Sequence, residues 1–142
     1  MKKGIDHIGI FVSGICQDKE GNVLFRKRGP GARDEHGKWD PGVGGAQEFG
    51  ESCEQCLFRE IEEEAGIQPK SYELLGSLDK FRVLDGAETH WVGFYFKCEI
   101  DRTKVIVDPQ ETSEVMWAPF ADFPDPMMTG FLETYETFKK YF

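Results

Sequence analysis

Runs of apolar and β-branched residues recur along the chain and predict a protein rich in β-strands. Residues 7–16 (HIGIFVSGIC) and 22–28 (NVLFRKR) predict two strands joined by a polar turn. Residues 71–83 and 88–100 predict two more strands around a turn at residues 84–87, and the aromatic alternation in WVGFYFKCEI indicates a central position in a sheet. Shorter strands are predicted at residues 105–107 and 114–118.

Apolar residues at steps of three and four predict a helix in the middle of the chain. Ser52 and Gln55 match a capping box at its start, and Gly66 fits a left-handed stop at its end. A second helix is predicted over residues 129–142, and the glycine-rich residues 29–45 are predicted to form loops. Strands with two helices favour a two- or three-layer α/β sandwich. The apolar stripe of the first helix comprises Cys53, Cys56, Leu57, Ile61 and Ala65.

Length and composition indicate one domain over residues 1–142. The formal net charge of −9 argues against binding to nucleic acid or to an anionic membrane. No apolar segment has the length of a membrane span, and the N-terminal run is too short and broken for a signal peptide, so a cytoplasmic location is expected. The four cysteines are therefore interpreted as reduced core residues, and the aromatic content allows a homodimer.

The predicted central helix carries an unusual concentration of carboxylates. Glu60, Glu63 and Glu64 are three and four residues apart, so their side chains can converge on one point, although like charges at this spacing repel. A solvated acidic face has the same pattern, but glycines and Arg59 bracket these glutamates, which favours a bound divalent cation. Hard oxygen ligands suit Mg²⁺, Mn²⁺ or Ca²⁺, whereas Zn²⁺ favours histidine or cysteine.

Residues 45–67 (GAQEFGESCEQCLFREIEEEAGI) resemble the sequence box of the Nudix hydrolases. The resemblance implies an α/β/α sandwich with a mixed β-sheet. It also implies metal-dependent cleavage of a nucleoside diphosphate linked to another group, as in a nucleoside triphosphate, ADP-ribose or a nucleotide sugar. Mg²⁺ is the expected cofactor, with Mn²⁺ as a second choice. The matching positions are Gly45, Glu51, Arg59, Glu60, Ile61, Glu63, Glu64, Gly66 and Ile67.

The same resemblance implies a role for individual residues. Glu60, Glu63 and Glu64 would bind the metal, together with the backbone carbonyl of Gly44. Arg59 would orient a glutamate through a two-pronged hydrogen bond. The expected catalytic residues are Glu63, Glu64, Arg59 and Glu111, and Glu51 is expected to support the loop or its metals.

Two arginines and two glutamates outside the box are further candidates. Arg26 and Arg28 share one face of a predicted strand and are expected to bind substrate phosphates, since guanidinium groups match phosphates well. Related enzymes have a further glutamate late in the chain that binds metal or acts as general base. Glu111 is preferred to Glu114 for this role because of its spacing from Trp117. The aromatics Phe81, Trp91, Phe94 and Phe96 are interpreted as core residues in preference to a surface that stacks a base.

Two other functions remain as alternatives. The Trp39-Asp40 approach to the box is similar to that of isopentenyl diphosphate isomerases, and Gly42 and Val43 are extra residues relative to related hydrolases. That isomerisation uses a cysteine before the box, and no cysteine lies between Cys16 and the box cysteine at 53. The other alternative is a non-catalytic nucleotide-sensing module. Such modules usually lack one of the box glutamates, and all are present here.

Overall fold

A seven-stranded β-sheet forms the centre of the computed structural model, which describes residues 1–142. Two α-helices cover the sheet, α1 (Cys53–Ala65) and α2 (Phe131–Phe138). Neither of them has the length and apolar composition needed to cross a lipid bilayer. The strands are β1 (Gly9–Gln17), β2 (Val23–Arg28), β3 (Trp39–Asp40), β4 (Gly42–Ala46), β5 (Ser71–Leu84), β6 (Ala87–Glu99) and β7 (Thr112–Ala118).

Strand β1 lies inside the sheet and gives it its mixed character. It runs parallel to β6, with Gly9 opposite Trp91 at one end and Gln17 opposite Glu99 at the other. It runs antiparallel to β2 and to β4. The strand order is β3-β2-β1-β6-β5, with β4 paired to β1 and β7 paired to β2. The mixed sheet that the sequence box implied is therefore confirmed.

Alternate residues of β1 point to opposite faces of the sheet and enter two separate cores. Val12 packs with Leu57 and Ile61 of α1 in a cluster of 11 buried residues. Ile15 packs in a second cluster of 6 buried residues that includes Phe131 of α2. With one helix against each face, the structure confirms an α/β/α sandwich.

Helix α1 begins and ends at the predicted capping residues. The Ser52 hydroxyl accepts a hydrogen bond from the Gln55 N–H at 3.1 Å, and the Gln55 side chain accepts one from the Ser52 N–H at 2.9 Å. Gly66 ends the helix with φ of 68°, a left-handed conformation that glycine adopts without steric cost. The capped helix packs beside β4 and holds its carboxylates against the glycines of that strand.

The β5–β6 hairpin confirms two predicted strands and the turn between them. Asp85 and Gly86 have φ of 50° and 78°, which matches the twist of the flanking strands. The predicted strand at residues 105–107 is wrong, because the Ile106 N–H donates to the Ala65 carbonyl at the end of α1 instead of to a strand. Residues 39–45, predicted as loop, contain β3 and most of β4, and α2 is shorter than predicted.

Candidate active site

A cleft of about 440 Å³ lies between the sheet, α1 and the segment that leads into α2. Its walls combine three kinds of chemistry, because acidic, basic and aromatic side chains all reach it. The acidic residues are Asp34, Asp40, Glu60, Glu64 and Glu111, the basic ones are Arg28, Arg33, Lys80 and Arg82, and the aromatic ones are Phe11, Trp91, Tyr95 and Phe131.

Arg59 gathers three glutamates of the box around one guanidinium group. Its Nε and Nη2 donate to the two carboxylate oxygens of Glu51 at 2.7 and 2.9 Å. Its Nη1 donates to Glu60 Oε1 at 2.8 Å and lies 3.5 Å from Glu63 Oε2. The hydrogen bond from Arg59 lowers the pKa of Glu51 to about 2. Arg59 therefore fixes the orientation of Glu60 and joins α1 to the preceding loop.

Glu64 lies at the inner end of the cleft with one arginine beneath it. Its Oε2 accepts hydrogen bonds from Arg26 Nη2 at 3.2 Å and from the Gly44 N–H at 3.1 Å. Burial raises the pKa of Glu64 to about 7; Arg26 opposes this rise, and Asp40 and Glu60 add to it. Burial also raises the pKa of Glu60 and of Asp40. Glu60, Glu64 and Asp40 therefore lie in surroundings that disfavour the charged form of each carboxyl.

Two adjacent glycines allow α1 to approach β4 closely. A Cβ atom on Gly44 would overlap the Val12 carbonyl oxygen of the neighbouring strand. A Cβ atom on Gly45 would lie 2.6 Å from Glu60 Oε1. The first glycine is thus required by the backbone of the sheet, and the second leaves room for the carboxylate of Glu60.

The glutamates of the box are not arranged as a complete metal-binding site. No group of three or more Asp, Glu, His or Cys side chains is close enough together to hold an ion. Glu63 does not contribute to such a group. Its side chain is 58% exposed, pairs with Arg59 and lies outside the cleft lining. Glu60, Glu63 and Glu64 therefore do not converge on one point as their spacing predicted, because Glu60 and Glu63 pair with Arg59 whereas Glu64 pairs with Arg26.

The oxygens that do line the cleft fit a hard divalent ion. Glu60, Glu64 and Gly44 border the same space and offer carboxylate and carbonyl oxygens. Mg²⁺ commonly takes one or two carboxylates and completes its shell with water and with phosphate oxygens of the substrate. A cation at this place would also favour the charged form of Glu64, whose pKa is raised by burial and, to a smaller extent, by Asp40 and Glu60.

Arg26 and Arg28 have different environments although they share one face of β2. Arg26 is 7% exposed, does not line the cleft, and donates to the Gly42 carbonyl at 2.8 Å and to Glu64. This burial corrects the expectation that Arg26 binds substrate, because its charge already stabilises Glu64 and β4. Arg28 lines the cleft, with Nη2 2.9 Å from Asp34 Oδ1 and Nη1 3.6 Å from Asp40 Oδ2.

The two candidate general bases, Glu111 and Glu114, differ in their position relative to the cleft. Glu111 lies in the loop before β7 and lines the cleft. Glu114 lies within β7, opposite Lys27 of β2, and is exposed outside the cleft lining. This geometry favours Glu111 over Glu114 as the general base.

Several residues of the cleft were not identified from the sequence. Lys80 and Arg82 of β5 gave no signal, since charged residues on a long strand are most often solvated. Trp91, interpreted as core, lines the cleft, whereas Phe96 is 2% exposed in the core as predicted. Phe81 is 71% exposed, so its assignment to the core is wrong. Alternation along β6 is the signal that could have placed Trp91 and Tyr95 together on one face.

Comparison with known families agrees with this fold. The family model described as the NUDIX domain matches residues 7–138 of the chain. The crystal structure of a MutT NUDIX hydrolase from Burkholderia pseudomallei superposes with a TM-score of 0.78 and 25% sequence identity. The match covers 92% of this chain and 98% of that one.

Two relatives with different activities are similar to parts of the chain. The NAD-capped RNA hydrolase NudC of Photobacterium profundum is 32% identical over 82 residues, which is 58% of this chain and 29% of that protein. The isopentenyl-diphosphate Delta-isomerase of Halobacterium salinarum is 28% identical over 109 residues, which is 74% of this chain and 51% of that protein. The chain thus spans about half the length of these relatives or less.

Proposed function

This chain belongs to the NUDIX family, and on that premise we propose that it is a metal-dependent hydrolase of nucleotide pyrophosphate bonds. Its substrate would be a nucleoside diphosphate linked to another group: a nucleoside triphosphate, ADP-ribose or a nucleotide sugar. One observation carries the proposal. Glu60 and Glu64, each held by an arginine, border one cleft beside Gly44, and burial raises the pKa of both carboxyls.

Residues in and around the cleft would have different roles in the reaction. Arg59 holds Glu60, and Arg26 holds Glu64, so both carboxylates are in place before a ligand arrives. Arg28 donates hydrogen bonds to the non-bridging oxygens of the diphosphate. Glu111 accepts a proton from the attacking water. Mg²⁺ or Mn²⁺ held by Glu60, Glu64 and the Gly44 carbonyl would neutralise phosphate charge and lower the pKa of water. Glu63, placed outside the cleft, would act through Arg59.

Substitution of Glu64 tests the assigned role. We expect Glu64→Gln to lower kcat by about a hundredfold or more while the melting temperature stays close to that of the wild type, because the carboxylate acts on charge that develops in the reaction. Glu62→Gln is the matched control. Glu62 is the exposed neighbour on α1, and its carboxylate accepts a hydrogen bond from Gln68 at 2.9 Å outside the cleft. Near-normal turnover of folded Glu64→Gln, measured by release of nucleoside monophosphate, contradicts the proposal.

The isomerase alternative rests on the similarity over 74% of the chain. The four cysteines are all free, and none of them lines the cleft. Isomerisation of isopentenyl diphosphate, followed by product analysis with Mg²⁺, is the assay that separates this alternative from hydrolysis. A nucleotide-sensing module would bind nucleotide with Mg²⁺ and release no product.

A further inference from the structure

One carboxylate in the cleft lies between two arginines that come from different strands. Asp34 Oδ1 accepts a hydrogen bond from Arg28 Nη2 at 2.9 Å, and Asp34 Oδ2 lies 3.7 Å from Arg82 Nη2. Arg28 is the last residue of β2, and Arg82 belongs to β5 at one edge of the sheet. All three residues line the cleft. The Asp34 carboxylate therefore bridges two guanidinium groups that the sheet brings to the same cleft.

Arg28 has contacts that do not depend on the Asp34 side chain. Its Nε donates to the backbone carbonyl of Asp34 at 2.7 Å, and its Nη1 lies 3.6 Å from Asp40 Oδ2. Because a guanidinium group carries five N–H donors, an arginine that is bonded through Nε keeps donors on both Nη atoms for other acceptors. A substitution of the Asp34 side chain would leave the backbone carbonyl in place. Arg28 would then keep its position and lose one acceptor.

Arg82 is likewise held by a second carboxylate. Its Nη1 donates to Glu35 Oε2 at 2.9 Å, and Glu35 Oε1 in turn accepts from the Thr129 N–H at 2.9 Å. The contact between Arg82 and Asp34, at 3.7 Å, is longer than a hydrogen bond. The Asp34 side chain is therefore not needed to hold either arginine in place.

The position of the Asp34 carboxylate also suits a phosphate group. Guanidinium groups bind carboxylates and phosphates in the same way, through paired N–H···O contacts. The Asp34 side chain is 27% exposed, and partly exposed side chains exchange between staggered rotamers rapidly. Rotation of this one side chain can therefore vacate the position between the arginines while the loop stays in place.

This position adjoins the one proposed for the diphosphate. Asp40 connects the two, because its Oδ1 accepts from the Gly42 N–H at 2.7 Å and its Oδ2 lies 3.6 Å from Arg28 Nη1. Gly42 is two residues from Gly44 in β4. A diphosphate that extends from Gly44 toward Arg28 would therefore approach the Asp34 carboxylate.

We infer that Arg28 and Arg82 together bind a phosphate group of the substrate, and that the Asp34 carboxylate occupies this site until the phosphate displaces it. The inference rests on the proposed function and deepens it, because it adds Arg82 to the phosphate contacts and identifies Asp34 as a competing anion. The apparent affinity of a ligand falls by the fraction of molecules in which its site is free. Asp34 therefore raises the Kd of any substrate that carries this phosphate.

Removing the charge of Asp34 tests the inference. With Mg²⁺ present, we expect Asp34→Asn to lower the Kd of α,β-methylene-ADP, an uncleavable diphosphate, about tenfold in titration calorimetry. The neutral amide is the weaker competitor, because hydrogen bonds between two ionised groups are stronger than those to a neutral acceptor. Asp122→Asn is the matched control. It changes the net charge by the same amount at an exposed position outside the cleft lining, and is expected to leave the Kd unchanged.

A second substitution assigns the effect to the arginine pair. Arg82→Gln is expected to raise the Kd of α,β-methylene-ADP about tenfold, because a charge-assisted contact with the phosphate is lost. In the Arg82→Gln background, Asp34→Asn is expected to improve the Kd by less than about threefold, since residues that share one site are not additive. A general effect of negative charge on an anionic ligand would instead give the same improvement in both backgrounds.

The inference is overturned if Asp34→Asn binds α,β-methylene-ADP no more tightly than the wild type, or if its gain is undiminished in the Arg82→Gln background. Failure of Asp34→Asn to fold also overturns it, because the remaining contacts of the two arginines would then be insufficient. If Arg82→Gln does not fold, the comparison of Asp34→Asn with the wild type is decisive.

The proposed hydrolysis is judged separately, on cleavage of ADP-ribose and nucleoside triphosphates by the wild type. Tighter binding by Asp34→Asn without any cleavage contradicts the hydrolase alone. Cleavage by the wild type with unchanged or weaker binding by Asp34→Asn contradicts the displaced carboxylate alone.

Discussion

At the scale of single residues, two arginines decide how the box glutamates are held. Arg59 donates three short hydrogen bonds to Glu51 and Glu60, and Arg26 holds Glu64 from the opposite side. Each arginine lies within reach of a carboxylate that protein atoms partly screen from water. The two pairs differ in net effect, because Arg59 lowers the pKa of Glu51 whereas burial raises the pKa of Glu64 in spite of Arg26.

The Glu51–Arg59 pair makes stability depend on pH in a defined window. The pKa of Glu51 is lowered from 4.5 to about 2, so the folded state favours the charged form. The stabilisation is fully present above about pH 4.5 and is lost as the pH falls toward 2. We expect Glu51→Gln to lower the free energy of unfolding by roughly 1–2 kcal/mol at pH 7. Chemical denaturation at several pH values should show this difference shrinking below pH 4.5. A difference that is independent of pH would rule out the assigned pair.

Spacing in the sequence predicted that the three glutamates share one side of α1, but it did not predict that Glu64 pairs with Arg26. The three-and-four pattern placed Glu60, Glu63 and Glu64 on one side of a helix, which the structure has. The pattern could not show that Arg26 would be buried beneath Glu64, because that contact joins residues 38 positions apart. A strand pattern gives the face of a residue but not what covers that face.

At the scale of elements, the loop between β2 and β3, which contributes Arg33 and Asp34 to the cleft lining, is held in place by Glu35. Glu35 Oε2 accepts from Arg82 Nη1 at 2.9 Å, and Glu35 Oε1 accepts from the Thr129 N–H at 2.9 Å. Lys38 lies 3.3 Å from the same carboxylate. One side chain, 11% exposed, thus connects the loop to β5 and to the segment before α2.

Removing the charge of Glu35 should loosen that loop. We expect Glu35→Gln to lower the free energy of unfolding by about 1–3 kcal/mol and to speed amide hydrogen exchange in residues 29–38, because hydrogen bonds to charged groups are lost. Glu136→Gln is the control, since its partner Lys139 forms an exposed pair at 2.7 Å that should contribute little. The account of the loop fails if the two variants lose equal stability and exchange in residues 29–38 is unchanged.

The elements that sequence analysis missed have a common physical cause. Residues 42–46 contain three glycines, a composition typical of loops, yet they form β4 because close packing against β1 and α1 requires the absence of side chains. Residues 105–107 have a strand composition, yet they lie against the end of α1, where the Ile106 N–H donates to the Ala65 carbonyl at 2.9 Å. In both places a tertiary contact overrides local propensity.

At the scale of the whole molecule, the fold brings carboxylates and aromatic rings to the same cleft. Glu60 and Glu64 approach it from α1 beside β4, while Phe11 and Trp91 approach it from the parallel pair of β1 and β6. The net charge of −9 opposes the approach of a phosphate anion, and the proposed divalent cation would reduce the negative charge at the site. The predicted homodimer stays a prediction.

Product analysis of a nucleotide panel tests the central claim most directly. The protein is incubated with ADP-ribose, nucleoside triphosphates and nucleotide sugars, in Mg²⁺ and in parallel with excess EDTA, and phosphorus-containing products are identified by ³¹P NMR. The account predicts a nucleoside monophosphate from at least one of these substrates with Mg²⁺ and none with EDTA. Intact substrates throughout the panel in Mg²⁺, or equal cleavage in EDTA, would contradict it.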